Sequence, residues 1–182
     1  MKVAILGKIN KSDPTEYITN LITLLEKRNV SVFIESEYFS SISGFISKSI
    51  SSFKDLDKSF DLLISIGGDG TILKAITFVK DLSIPIIGVN TGRLGFLAKI
   101  QIENIEQVIE EIILKNYSVS ERTLIEVSTS ESNKQLSKLN FALNEITLSR
   151  KNTTSMISID TKLDNKHLNS YWADGLIIST PT

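Results

Sequence analysis

The stretch that most constrains this chain lies between Asp61 and Val79. An apolar run of strand length, Asp61 to Ile66, ends in Gly67-Gly68-Asp69-Gly70-Thr71, and Ile72, Leu73, Ile76 and Val79 then fall on one helical face. A run apolar on both faces suits a strand buried in a parallel sheet, and the spacing after it is that of a helix packed on the sheet. The glycine turn between them exposes backbone N–H groups at a helix N-terminus, where the helix dipole also favours an anion such as phosphate. A carboxylate at Asp69 has two chemical uses beside a phosphate: accepting the proton of an attacking hydroxyl, or helping to hold a metal that bridges phosphates. Asp is equally suited to capping a helix with no chemistry at all, so the residues leave these roles open.

Two common nucleotide sites are excluded by pattern. No G-x-G-x-x-G follows either of the early apolar strands, and no G-x-x-x-x-G-K-[ST] occurs. Lys and Arg number 20 against 21 Asp and Glu, for a net charge of -1. No global basic field therefore attracts nucleic acid or anionic membrane, and recognition of phosphate has to be local. The absence of cysteine removes disulfide frameworks, thiolate metal sites and a cysteine nucleophile. His167, the only histidine, lies by a predicted turn and gives little support to a histidine metal site or a Ser-His-Asp triad. The opening run is too short for a signal segment, and no stretch reaches membrane-spanning length, so a soluble cytoplasmic protein is expected.

The same signals order the rest of the chain. Val3 to Ile9 reads as a strand, Pro14 opens a helix carried by Ile18, Leu21, Ile22 and Leu25, and Val30 to Ile34 reads as a second strand. Ser40 to Ser52 carries a weaker helical stripe of Ile42, Phe45, Ile46, Ser49 and Ile50. Ile84 to Val89 is a further buried strand. Alternation of such strands with helices predicts an α/β domain with a parallel sheet over residues 1–100. Ile105, Val108, Ile109, Ile112 and Ile113 mark one more helix, after which short strands dominate: Leu124 to Val127, Phe141 to Leu148, Met156 to Ile159 and Leu176 to Ser179. Asp164-Asn165-Lys166 reads as a hairpin turn. Residues 101–182 are thus expected to begin a β-rich second domain.

Three further segments carry polar groups where chemistry is plausible. Asn90-Thr91-Gly92-Arg93-Leu94-Gly95-Phe96 follows the Ile84 to Val89 strand at its carboxyl end, where ligands collect in open α/β sheets. It also reads as an ordinary turn loop with Phe96 in the core. Asn144-Glu145 sets an amide and a carboxylate inside an apolar run, where a ligand with hydroxyls would satisfy them, and a solvated strand edge or bulge would do the same. Asp174-Gly175 before Leu176 poses the same choice.

Taken together, Gly67 to Thr71, Asn90 to Phe96, Leu143-Asn144-Glu145 and Asp174 to Thr182 (Asp-Gly-Leu-Ile-Ile-Ser-Thr-Pro-Thr) resemble the NAD kinase family in order and spacing. The first motif is shared with diacylglycerol-type lipid kinases and phosphofructokinases; the other three make the match specific. The resemblance implies an α/β domain followed by a β-rich one, with NAD held between them, and phosphoryl transfer from ATP with Mg²⁺ to the adenosine 2'-hydroxyl, giving NADP. It implies a homo-oligomer, dimer or tetramer, and polyphosphate is a donor in some members. Carried over by motif, Asp69 is the catalytic base, and Gly67, Gly68, Gly70 and Thr71 belong to the phosphate loop. Asn90, Thr91, Gly92, Phe96, Asn144, Glu145 and Asp174 contact nucleotide. Lys74 matches a basic residue that meets phosphate and reads equally as an exposed helix lysine; Ser155, Trp172 and Thr182 complete the set. The family continues past Ser179 to Thr182 into a Gly-Ser-Thr-Ala-Tyr segment that helps hold adenine, so the β-rich domain is expected to be truncated here. Two other outcomes stay open at this point: a nucleotide-binding or oligomerising module without turnover, and a lipid or sugar kinase sharing only the first loop.

Overall fold

The computed structural model describes residues 1–8, 16–46, 50–131, 134, 136 and 139–181. The chain divides into two compact units, Met1–Val119 and Ser120–Thr182.

The first unit is built on six parallel strands: β1 (Lys2–Gly7), β2 (Ser31–Glu35), β3 (Ser51–Phe53), β4 (Leu62–Ile66), β5 (Ile86–Asn90) and β6 (Ile100–Gln101). Their order across the sheet is β3-β2-β1-β4-β5-β6. The chain winds outward one way from β1, then returns to the middle and winds the other way from β4. Four helices cover the sheet: α1 (Glu16–Lys27), α2 (Ser36–Ile42), α3 (Asp69–Val79) and α4 (Ile105–Ile113). Side chains alternate across each strand, so the apolar runs feed two cores. Val3, Ile5, Leu62 and Ile64 face α1, α2 and α4 through Ile18, Leu21, Tyr38, Ile109 and their neighbours. Ala4, Leu6 and Leu63 face α3 through Ala75 and Val79.

The predicted α/β class and the four longest strands of this unit are present. Four details differ. The helix expected over Ser40 to Ser52 starts earlier and ends at Ile42, and Ser51 and Ser52 belong to β3. Short serine-rich sequence has no periodicity strong enough to separate a two-turn helix from an edge strand. Leu73 is exposed, its place on the buried face of α3 being taken by Thr71 and Ala75. Ile9, Pro14 and Ser49, used in the sequence reading, lie outside the described residues. A change of pattern near residue 100 is evident in sequence, but α4 packs Ile105, Ile109 and Ile112 into the first core, and the compact-unit boundary falls after Val119.

The second unit contains three antiparallel pairs: β7 (Ile125–Glu126) with β8 (Phe141–Ala142), β9 (Glu145–Ser149) with β12 (Gly175–Ser179), and β10 (Ile157–Leu163) with β11 (Lys166–Ala173). The predicted turn is there. Leu163 pairs with Lys166, leaving Asp164 and Asn165 as a two-residue loop with φ of 49° and 64°, the left-handed pair that such a hairpin requires. The long strand that follows it, β11, has no apolar alternation and was not expected. The single strand predicted over Phe141 to Leu148 is two strands that break at Leu143-Asn144 and pair with different partners.

Candidate functional site

The candidate site of the first unit forms where β4 gives way to α3. Gly67 adopts a φ of 145°, and a Cβ there would lie 2.3 Å from Thr71 Oγ1. Glycine is thus required both by the backbone conformation and by the side chain folded over it. Gly68 caps α3 without a side-chain hydrogen bond, and Asp69 is the first helical residue. The simple N-cap reading of Asp69 is therefore corrected.

The Asp69 carboxylate turns instead to a loop nearly thirty residues on. Phe96 N–H donates to Oδ2 at 2.9 Å, while Leu97 and Ala98 N–H donate to Oδ1 at 2.9 and 3.0 Å. Those three amides, Ala98 foremost, hold the carboxyl below the ordinary carboxylate range, so it is ionised at neutral pH. Gly95 makes the approach possible, since a Cβ on it would sit 2.2 Å from Asp69 Oδ1. Asn90 organises the start of the same loop. It is buried at the end of β5, accepts from Gly92 N–H at 2.7 Å and donates through Nδ2 to Arg93 O at 2.5 Å. Thr91 and Gly92 form the turn between. Phe96 is 90% exposed, contrary to the reading that buries it in the core; what the loop uses of it is the N–H committed to Asp69.

Between β1 and β4, where the winding direction of the sheet reverses, a cleft of about 730 Å³ is lined by Gly7, Lys8, Glu37, Tyr38, Ser41, Gly68, Gly70, Thr71 and Lys74. It lies at the carboxyl ends of the two strands, the position at which open α/β sheets collect ligands. The N-terminus of α3 opens onto it, and the first N–H groups of a helix have no partner within the helix. Lys74, three residues past Thr71 and so on the same helix face, is not a free lysine. Its Nζ lies 2.9 Å from Glu37 Oε2 and 3.7 Å from Glu35 Oε2. Glu35 is buried and caps α2, accepting from Glu37 and Tyr38 N–H at 3.1 Å each.

In the second unit, Asn144 and Glu145 are exposed rather than sunk in a buried strand. Asn144 stands where the chain leaves one ladder for another, and its side chain faces water there. The β9–β12 ladder pairs Glu145 with Ser179, and Thr180 N–H donates to Asn144 O at 2.9 Å. Two predicted motifs therefore meet. Asp174 lies at the opposite end of that ladder, roughly 14 Å away at strand rise, and its Oδ1 pairs with Arg150 Nε at 3.2 Å. Ser155 closes a turn on Thr153 Oγ1 at 3.1 Å, and Trp172 is 75% exposed on β11. Thr182 lies outside the described residues. His167 is exposed, with Nε2 3.1 Å from Ser170 Oγ, whose hydroxyl donates to Asp160 rather than the histidine bonding the carboxylate. That is not the order of a triad.

The model of the ATP-NAD kinase N-terminal domain matches residues 3–117. The chain belongs to the ATP-NAD kinase family. Its curated relatives include the NAD kinase of Flavobacterium psychrophilum, 49% identical over 188 residues that cover 100% of this chain and 64% of the relative. That of Christiangramia forsetii is 49% identical over 187 residues, with the same coverage. The chain thus spans somewhat under two thirds of the length of these relatives. Among solved structures, a yeast NADH kinase complexed with NADH shares the fold, with a TM-score of 0.81 and 24% identity over 99% of this chain and 57% of that one. An NAD kinase from Archaeoglobus fulgidus in complex with ATP matches with a TM-score of 0.68 and 25% identity over 98% of this chain and 60% of that one. The family resemblance carried by the four motifs is borne out, and membership sets aside the lipid or sugar kinase that shares only the glycine loop.

Sequence reasoning missed Lys8, Glu35, Glu37, Tyr38 and Ser41. No local pattern marks them, because the cleft is assembled by strand order. It also missed the loop amides that hold Asp69, for which Gly95 was the available signal.

Proposed function

We propose that the protein to which these residues belong transfers the terminal phosphoryl group of ATP to the adenosine 2'-hydroxyl of NAD, giving NADP. The observation that carries this reading is the open N-terminus of α3 at the cleft between β1 and β4, with Lys8 and Lys74 among its lining. First-turn amides and two ammonium groups converging on one cleft suit a phosphate chain, and phosphoryl transfer depends chiefly on such positioning and charge stabilisation.

In this reading Gly68 and Gly70 offer backbone N–H groups to phosphate oxygens, Thr71 lines the cleft beside them, and Lys8 and Lys74 balance the phosphate charge. Asp69 accepts the hydrogen bond of the attacking hydroxyl through Oδ2, which receives only one amide, and takes the proton as the new O–P bond forms and the bond from the terminal phosphorus to the ADP oxygen breaks, releasing ADP. A carboxylate with a lowered pKa is a weak base, which suits a loose transition state in which the hydroxyl sheds its proton late. Asn144, Glu145 and Asp174 bind the dinucleotide, and Asn90, Thr91, Gly92 and Phe96 are likewise assigned to nucleotide binding; Ser155, Trp172 and Thr182 belong to the same set.

Mg²⁺ enters with the donor. Among the described residues no cluster of three or more His, Cys, Asp or Glu is arranged to hold a metal, and a magnesium ion held mainly by phosphate oxygens and water does not need one. Bound with the donor, such an ion would supply neutralisation of phosphate charge. Cytoplasmic location and assembly as a homo-oligomer belong to the same proposal; no helix among the described residues is long and apolar enough to cross a membrane.

The test is NADP formation from NAD, ATP and Mg²⁺ by this chain, and by a version extended to the length of its relatives. Turnover by the extended form is expected, with Asp69→Asn lowering it about 10²- to 10⁴-fold and leaving the circular dichroism unchanged. Undiminished turnover in Asp69→Asn removes the assigned role. Binding of NAD or NADP with no product in either form would favour a binding module instead.

A further inference from the structure

The cleft is unusual for an anion site in that one of its two lysines, Lys74, is already matched. Lys74 is held between two carboxylates, and the two differ in kind. Glu35 is fixed: it is buried, its oxygens are occupied by two backbone amides of α2, and it stands 3.7 Å from Nζ. Glu37 is closer, at 2.9 Å, yet its side chain is 82% exposed and lines the cleft itself. An exposed ion pair contributes little, so Glu37 is readily displaced from Lys74 while Glu35 keeps the lysine in position. Displacement moves the Glu37 carboxylate but does not remove its charge from the cleft wall.

We propose that Glu37 is a donor-selecting residue, favouring a nucleoside triphosphate that carries a divalent cation over a bare polyphosphate chain. This rests on the kinase reading above and names the substrate class of the same cleft. With Glu37 paired to Lys74, the cleft wall presents less positive charge to a polyanion than its two lysines alone would give. Repulsion by a carboxylate on the cleft wall grows with the charge of the ligand. A triphosphate whose oxygens are already neutralised by a divalent ion meets little of it, whereas a bare chain of phosphates meets all of it. Glu37 and the N-terminus of α3 line the same cleft, so it acts on the same phosphates that the helix amides attract.

The test is calorimetric binding of tripolyphosphate in EDTA, and of ATP with excess Mg²⁺, to this chain and to its Glu37→Gln variant. Glu37→Gln keeps the shape of an exposed side chain and leaves the backbone N–H that Glu35 receives. Tripolyphosphate is expected to bind the variant about tenfold more tightly, and magnesium-ATP less than about threefold more tightly. An equal change for both ligands, or no change for either, overturns the selection role and leaves the kinase reading standing. If neither ligand binds either protein and the extended chain makes no NADP, the inference and the reading beneath it both fall.

Discussion

Strand β4 is buried at all five of its positions, whereas in β12 Ile177 and Ile178 are exposed. The contrast holds across the two units. Among the described residues, all the buried apolar ones but Leu143 and Ile159 belong to the first unit. The second exposes Leu148, Leu163, Leu168, Trp172 and Ile177. A parallel sheet closed on both faces by helices removes its apolar runs from water, and that burial drives its folding. Paired hairpins without a covering layer satisfy backbone hydrogen bonds but leave a face of each strand in solvent, and two-stranded ladders alone are marginal. The difference teaches that the glycine loop and α3 rest on a self-sufficient scaffold, and the ladders carrying Asn144, Glu145 and Asp174 do not.

The largest effect that would break this comparison is in the isolated units. Residues 1–119 are expected to unfold in a single cooperative transition on heating, and residues 120–182 to show none by circular dichroism. A sharp transition in the second fragment would mean that its hairpins bury more than their exposure suggests. Next in size is a paired substitution in the intact chain. Ile64→Ala should lower stability by about 2–5 kcal/mol in urea, and Ile177→Ala by no more than about 0.5 kcal/mol. Comparable losses would erase the distinction.

Within the first unit, Gly95→Ala sharpens the account of the loop that holds Asp69. Forcing a Cβ against the carboxylate should lower stability by about 1–3 kcal/mol and speed amide exchange at Phe96, Leu97 and Ala98. Slow exchange retained at all three would show that the loop is held by something else. The smallest effect is in pH. Because the folded state holds Asp69 below the ordinary carboxylate range, its ionised form contributes stability that is fully present above the unfolded pKa. That contribution is lost as pH falls through the folded value. The stability gap between the wild type and Asp69→Asn should therefore be constant near neutrality and narrow in acid, read from urea midpoints across the range. A gap that does not narrow removes the three-amide account.

Much of the first unit was legible in the sequence. Continuous apolar runs such as Leu62 to Ile66 state that a strand is buried on both faces, and Ile18, Leu21, Ile22 and Leu25 state which face of α1 turns inward. The glycines of the 67–70 turn identified a helix N-terminus open to an anion, and Asp164-Asn165 identified a hairpin. The second unit was less legible: β11 has no apolar alternation, and Leu143-Asn144 gives no local sign that one apolar run serves two ladders.

The sequence by itself determined the family, through motifs whose order and spacing survive without coordinates, and the α/β class, through local periodicity. Only the tertiary structure decided that Asp69 is held by amides from residues 96–98, and that Lys74 is shared by Glu35 and Glu37. It alone also showed that the cleft opens between β1 and β4. The physical reason is range. A strand or a helix face is written in residues two to four apart, which a sequence shows directly. An ion pair or a carboxylate cradle joins segments whose separation along the chain carries no period, and it exists only once the order of strands has brought their ends together.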